Sequence, residues 1–266
     1  MNPKLSIIIP AYKQSLKAGN SIRLSIIIPA YNEEKNLKKG VLTPLFDYLK
    51  TVDFSYELLI VDDGSSDGTV EELKVQTKDK ENIRIIENPH GGKANTVIAG
   101  VLEAKGDIAL FSDLDQATPI REIEKFLPKF EEGFDIVIGS RHGRKGAPLM
   151  RKLAAWGFSV LRGIILGLPF EDTQCGFKAF NKTSREAIFP KIKGEWGVLH
   201  FKGGAVNAGF DVEVLYIAKK LGFKIAEVPV EWNYVDTERV QVVKDAAAAI
   251  YDMIRIRLND IAGKYH

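Results

Sequence analysis

The chain has 266 residues, is 45% hydrophobic, and carries 37 Lys and Arg against 35 Asp and Glu, a net charge of +2. That apolar share fills a full-sized core and excludes a disordered polymer, while the balanced charge offers no electrostatic footprint for nucleic acid. A single cysteine, Cys175, and four histidines argue against a disulfide framework or a zinc site.

Residues 5–12 and 24–31 both read LSIIIPAY. Two copies do not make a repeat architecture. Only the second is followed by Asn32-Glu33-Glu34 and a helical pattern, so 24–28 is taken as the first strand. Residues 1–23 are then a duplicated extension holding a spare β-segment. Further β-branched runs predict strands over 57–61, 83–87, 108–111 and 136–139, with 225–230 as a sixth. Helical patterns fall at 34–49, 69–78, 93–104 and 121–130, and later at 211–221 and 240–258. Strands alternating with helices in this way predict an α/β fold around a largely parallel sheet. No Pro- or Ser-rich linker interrupts the pattern, so 24–266 reads as one domain.

The candidate chemistry clusters where predicted strands end. Asp113-Leu114-Asp115 follows the run 108–111, and two carboxylates one residue apart can share a hard divalent cation; a turn or helix cap explains the same three residues. Asp62-Asp63-Gly64-Ser65-Ser66-Asp67-Gly68-Thr69 also closes a strand, and a carboxylate there can accept from a base N–H or a ribose hydroxyl. N-capping by Asp67 is the alternative. The loop from Asn88 to Lys93 precedes a helix, where amides and Lys93 can meet phosphate, although a tight turn accounts for it too. It lacks the Walker spacing, and no G-x-G-x-x-G follows the first strand, so P-loop and dinucleotide readings fail.

Arg141 heads a basic stretch with His142, Arg144, Lys145, Arg151 and Lys152, which suits an anionic acceptor or a solvated loop. Residues 153–170 are apolar nearly all round, interrupted by Arg162 and three glycines. That pattern fits a segment lying in a headgroup layer, anchored by Trp156 and flanking cations, as well as it fits a buried helix. Residues 147–170 are therefore the candidate membrane-interface region. No charge-free apolar stretch reaches the roughly eighteen residues of a membrane span, and no signal-peptide pattern opens the chain. The expectation is a cytoplasmic protein, peripheral on the membrane.

Taken together, I-P-A-Y-N-E-E at 28–34, V-D-D-G-S-S-D-G-T at 61–69, D-L-D at 113–115 and G-S-R at 139–141 resemble the family 2 glycosyltransferases in order and spacing. D-T-Q-C-G-F-K at 172–178 and F-D-V-E at 210–213 resemble the polyprenyl-phosphate branch, especially its dolichyl-phosphate β-glucosyltransferases. The resemblance implies a GT-A fold, Rossmann-like with a mostly parallel central sheet, a nucleotide-sugar donor, Mg²⁺ or Mn²⁺, and inversion at the anomeric carbon. Carried over by position, Pro29, Tyr31 and Glu33 contact the donor nucleotide and Asp63 the base. Asp113 and Asp115 serve ribose, metal and diphosphate, with Lys93 also on the donor side. Arg141 faces the acceptor phosphate and Arg151 assists it. Mannosyl-phosphate relatives place a metal-ligating glutamine where Ala117 stands; Ala117-Thr118-Pro119 resembles the glucosyl branch, which tilts the donor toward UDP-glucose over GDP-mannose.

A dianionic acceptor phosphate needs no general base. A hydroxyl acceptor would need one, and Asp172, Asp211 and Glu213 are its candidates, although bracing of the acceptor side by local hydrogen bonds is the preferred role for them. The implied partners are the donor, a polyprenyl phosphate and the cytoplasmic membrane surface, with a separate membrane protein as a further candidate. A transferase acting on a glycan hydroxyl and an inactive nucleotide-sugar-binding scaffold are the competing readings.

Overall fold

The computed structural model describes residues 23–141, 149–196, 208–233 and 242–265. The first LSIIIPAY copy lies outside them. The second forms β1 (Leu24–Ala30), followed by α1 (Glu34–Lys38), α2 (Thr43–Leu49), β2 (Tyr56–Asp62), α3 (Thr69–Thr77), β3 (Ile83–Glu87), α4 (Gly92–Glu103) and β4 (Ile108–Phe111). Then come a 3₁₀ turn (Ile120–Glu122), α5 (Ile123–Glu131), β5 (Ile136–Ser140), α6 (Leu149–Leu166), β6 (Lys178–Asn181), α7 (Lys182–Trp196), α8 (Ala208–Lys220), β7 (Ile225–Pro229) and α9 (Val242–Ile261).

One seven-stranded sheet runs β3-β2-β1-β4-β6-β5-β7. Every pair is parallel except those of β6, which is antiparallel to both β4 and β5. All strands but β6 therefore point their C-terminal ends to one edge, where open α/β sheets bind ligands. Helices cover both faces, which is why the inner strands read as unbroken apolar runs. Ile27, Leu59, Val61, Ala109 and Phe111 enter the core under α4, α7 and α8. Their neighbours Ile26, Ile28, Leu58, Ile60 and Leu110 enter the opposite core with α1, α2 and α5.

One expectation is corrected and two elements are added. The single helix read over 34–49 is two, because Gly40 adopts φ +77° and Pro44 restarts the chain in the first turn of α2. The strand β6 and the helix α7 are unread elements. Only four residues long, β6 opens with Lys178, a charge with no exposed surface, so its pattern does not look like a strand. Pro190 breaks the apparent periodicity of α7 from inside. The last strand closes at Pro229 on the sheet edge, where a missing N–H is tolerated.

Candidate functional site

The exits of β1 and β2 are laced together. Asn32 turns through φ +54° and its side-chain oxygen accepts the Ser66 N–H at 2.9 Å. The Glu33 N–H donates to Thr69 Oγ1 at 2.7 Å, and the Glu33 carboxylate accepts from Asn36 at 2.5 Å. Asp67 accepts the Thr69 N–H at 3.1 Å, but the N-cap of α3 is Gly68 and no side chain caps the helix, so the capping reading of Asp67 is corrected to a turn bond one residue before the cap. Asp62 is turned onto Ser65, bonded at 3.0 Å to its N–H. Local turn bonds therefore account for Asp62 and Asp67 and leave Asp63 aimed elsewhere.

Asp63 reaches across to the loop after β3. Its carboxylate accepts the Gly91 N–H at 2.8 Å and the Gly92 N–H at 3.0 Å, and His90 Nδ1 lies 3.0 Å from it. The His90 ring stacks on Tyr31, centroids 4.4 Å apart and planes inclined by 20°. Pro29, partly exposed near the end of β1, pairs in register with Val61. The sequence loop that ends at Lys93 is thus fixed by Asp63, and Lys93 projects from the first turn of α4 onto the Asp113 carboxylate.

Asp113 and Asp115 sit just past β4. Asp115 accepts the Ala117 N–H at 3.0 Å, and Gln116 between them and Ala117 takes φ +52° to make that turn. Gly176 lies against Asp113 so closely that a Cβ there would overlap the carboxylate. Burial opposes the charge on Lys93, yet Asp113, Asp211 and Asp115 outweigh it and hold the ammonium above its ordinary pKa. Loss of water and the like charge of Asp113 raise Asp115, against the Ala117 amide and Lys93.

Among the described residues no three His, Cys, Asp or Glu side chains converge as a metal cage. This donor set suits Mg²⁺ or Mn²⁺, which take one or two carboxylates and complete their shell with water and substrate phosphates. Asp113 and Asp115 are the residues that would hold such an ion.

Arg141 follows β5 and shares a pocket with Asp113, Ala117, Thr118, Cys175, Gly176 and Trp232. Its guanidinium forks onto Asp172, with Nε 2.6 Å from Oδ2 and Nη2 2.8 Å from Oδ1, and its backbone N–H donates to the same carboxylate at 3.1 Å. The Trp232 ring lies 5.7 Å away. Despite burial, Asp172 holds Arg141 above the ordinary arginine value, so it is permanently charged. Arg151 belongs to α6, but its side chain lies outside the described residues, as do His142, Arg144 and Lys145.

The three candidate bases are all engaged. Asp172 holds Arg141; Asp211 lies 2.5 Å from the fully buried Lys178; Glu213 pairs with Arg255 at 3.0 Å and accepts from Tyr265. Burial pushes the Cys175 thiol up to about 11, so it is no nucleophile at neutral pH. Trp232, the contact of Gly176 with Asp113 and the pairing of Lys178 with Asp211 are what sequence reasoning missed, although Gly176 and Lys178 lie in the 172–178 motif and Asp211 was a candidate base. Their signals are contacts between segments distant in sequence, which no local motif displays.

Behind this edge, α6 and α9 pack against each other. Their outward sides expose Val160, Leu161 and Ile164 on α6, and Ile250, Tyr251, Ile254, Leu258 and Ile261 on α9. Among the described residues no helix is long and apolar enough to cross a membrane.

Comparison with known proteins adds three findings. The family model for glycosyl transferase family 2 matches residues 25–189. A dolichyl-phosphate beta-glucosyltransferase of Dictyostelium discoideum is 32% identical over 98% of this chain and 76% of its own; that of Saccharomyces cerevisiae is 31% identical over 85% and 71%. In fold, the chain is similar to mannosyl-3-phosphoglycerate synthase from Rubrobacter xylanophilus, with a TM-score of 0.62 and 17% identity over 96% of this chain and 78% of that one. It is also similar to glucosyl-3-phosphoglycerate synthase from Mycobacterium tuberculosis, in complex with Mn²⁺, uridine diphosphate and glucosyl-3-phosphoglycerate, with a TM-score of 0.60 and 21% identity over 93% and 82%.

Proposed function

Because this chain belongs to glycosyltransferase family 2 and has the GT-A fold, we propose that it transfers glucose from UDP-glucose, with inversion, to dolichyl or another polyprenyl phosphate. The observation that carries this reading is the acceptor side of the pocket. Arg141 offers a permanent cation beside Asp113, while Asp172, Asp211 and Glu213 are each tied up in an ion pair. Among the described residues, none of these three carboxylates is free to take a proton from a hydroxyl. A phosphate acceptor needs none, since its second pKa near 6 leaves it dianionic at neutral pH. The names of the curated relatives support the same acceptor and the sugar.

The Tyr31–His90 stack and Asp63 make the nucleoside end, and Asp113 and Asp115 the diphosphate end. A divalent ion held by Asp113 and Asp115 would neutralise charge on the departing diphosphate. Lys93, held charged, adds to that compensation from the first turn of α4. Arg141 orients the acceptor oxygen toward the anomeric carbon from the far side of the leaving group, so one displacement inverts the centre, and catalysis rests on positioning and charge. Arg151 is placed here as its assistant.

The enzyme works as a peripheral protein on the cytoplasmic face. The apolar outer sides of α6 and α9 rest in the headgroup layer. The test compares dolichyl phosphate with dolichol, each in detergent with UDP-glucose and Mn²⁺. Glucosylation of the phosphate alone is expected; glucosylation of dolichol at a comparable rate refutes the base-free reading.

A further inference from the structure

Arg162 interrupts the apolar run of α6, and it is 1% exposed. A charge so deeply placed is costly unless its donors are spent well. Among the described residues it makes no ion pair, and burial draws it below the ordinary arginine value against the pull of Glu227 and Asp172. Instead its two Nη atoms reach the 170–173 turn and Ser159 of its own helix, while the buried Nε has no hydrogen-bond partner among the described residues. Nη1 donates to Thr173 Oγ1 at 3.0 Å, and Nη2 donates to the Phe170 carbonyl and to Ser159 Oγ, the latter at 2.9 Å.

The same turn is also held by β7. Both oxygens of Glu227 are used, Oε2 accepting the Glu171 N–H at 2.9 Å and Oε1 the Asp172 N–H at 2.8 Å. Glu227 is paired in register with Ile138 on β5, the strand that delivers Arg141. The turn and the strand end are thereby fixed against one another. Between the two clamps lies Asp172, whose carboxylate takes the Arg141 fork and the Gln174 N–H.

We propose that Arg162 and Glu227 are positioning residues that aim Arg141 at the acceptor by gripping the 170–173 turn from two different elements, α6 and β7. The proposal rests on the reading of Arg141 as the acceptor-phosphate cation. Neither residue touches substrate. If the turn relaxes, Asp172 turns with it and carries the guanidinium away from the line of attack, while the Tyr31, Asp63 and Asp115 side of the site is untouched.

The experiment uses the full chain with Arg162→Lys, which keeps the charge but loses the fork, and Glu227→Gln, which keeps the shape but weakens the paired acceptors. Three quantities are read: UDP affinity with Mn²⁺ by calorimetry, kcat and KM for a short dolichyl phosphate at saturating UDP-glucose, and the same kinetics in an Arg141→Lys background. Each variant is expected to lower kcat/KM for the acceptor about tenfold, leave UDP affinity within about twofold, and add almost nothing once Arg141 is already lysine. A joint fall in UDP affinity, or an undiminished penalty in the Arg141→Lys background, makes the role merely structural and overturns the proposal. Should Arg162→Lys fail to fold, Glu227→Gln on the edge strand decides alone. If Arg141→Lys by itself leaves acceptor kinetics unchanged, the reading of Arg141 fails and takes the clamp with it. If that variant is impaired and the other two are normal, only the clamp fails.

Discussion

Removing Asp172 should damage this protein more than removing its partner together with it. The Arg141–Asp172 pair has two short fork contacts, 2.6 and 2.8 Å, and the two side chains are only 19% and 6% exposed. Breaking such a pair from one side strands a buried charge, at a cost of about 3–5 kcal/mol. For a chain of this size that corresponds to a fall in Tm of about 10 °C. Asp172→Ala should show this loss in thermal and urea unfolding followed by circular dichroism. The double variant Arg141→Met with Asp172→Leu removes both charges and fills their space, so it should recover most of the stability while remaining inactive. A penalty below about 1 kcal/mol for Asp172→Ala would mean that water screens the pair. A double variant as unstable as the single would refute the assignment of the loss to a stranded arginine.

Gly176→Ala should place a methyl group into the Asp113 carboxylate, lowering calorimetric UDP affinity in Mn²⁺ about tenfold with little change in far-ultraviolet circular dichroism. His90→Ala removes one ring of the stack with Tyr31 and should weaken UDP binding by about 1 kcal/mol, roughly fivefold, in the same assay. Cys175, with its thiol pushed up to about 11 by burial, should resist a thiol reagent at pH 8 in the folded protein and react fully in guanidinium. Replacing Ile164 and Ile254 by Asp should abolish flotation with vesicles containing anionic lipid, while UDP affinity stays as in the parent.

What could be read from the sequence was whatever is local. The runs at β1 and β2 are apolar on both sides because both sheet faces are covered, and composition alone carries that. The D-L-D segment and the Asp62–Thr69 run lie at strand ends as their flanking residues required. A helix over 34–49 was the wrong reading because apolar spacing continues across Gly40, and only its positive φ breaks the element. The strand β6 escaped notice because Lys178 is buried by Asp211, 33 positions away, and by the face of Phe111, 5.3 Å from its ammonium. The acceptor side was legible in part. Arg141 was read from its position after a strand and Asp172 as a bracing residue, whereas their pairing and the approach of Trp232 appear only in three dimensions.

The measurement that bears most directly on the account offers the enzyme labelled UDP-glucose or labelled GDP-mannose with Mn²⁺ and a short dolichyl phosphate, and counts label in the organic extract, with Asp115→Ala in parallel. Label from UDP-glucose that disappears in the variant and on adding EDTA is the predicted result. Extractable label from GDP-mannose instead, or free UDP released with no label in the extract, would contradict it.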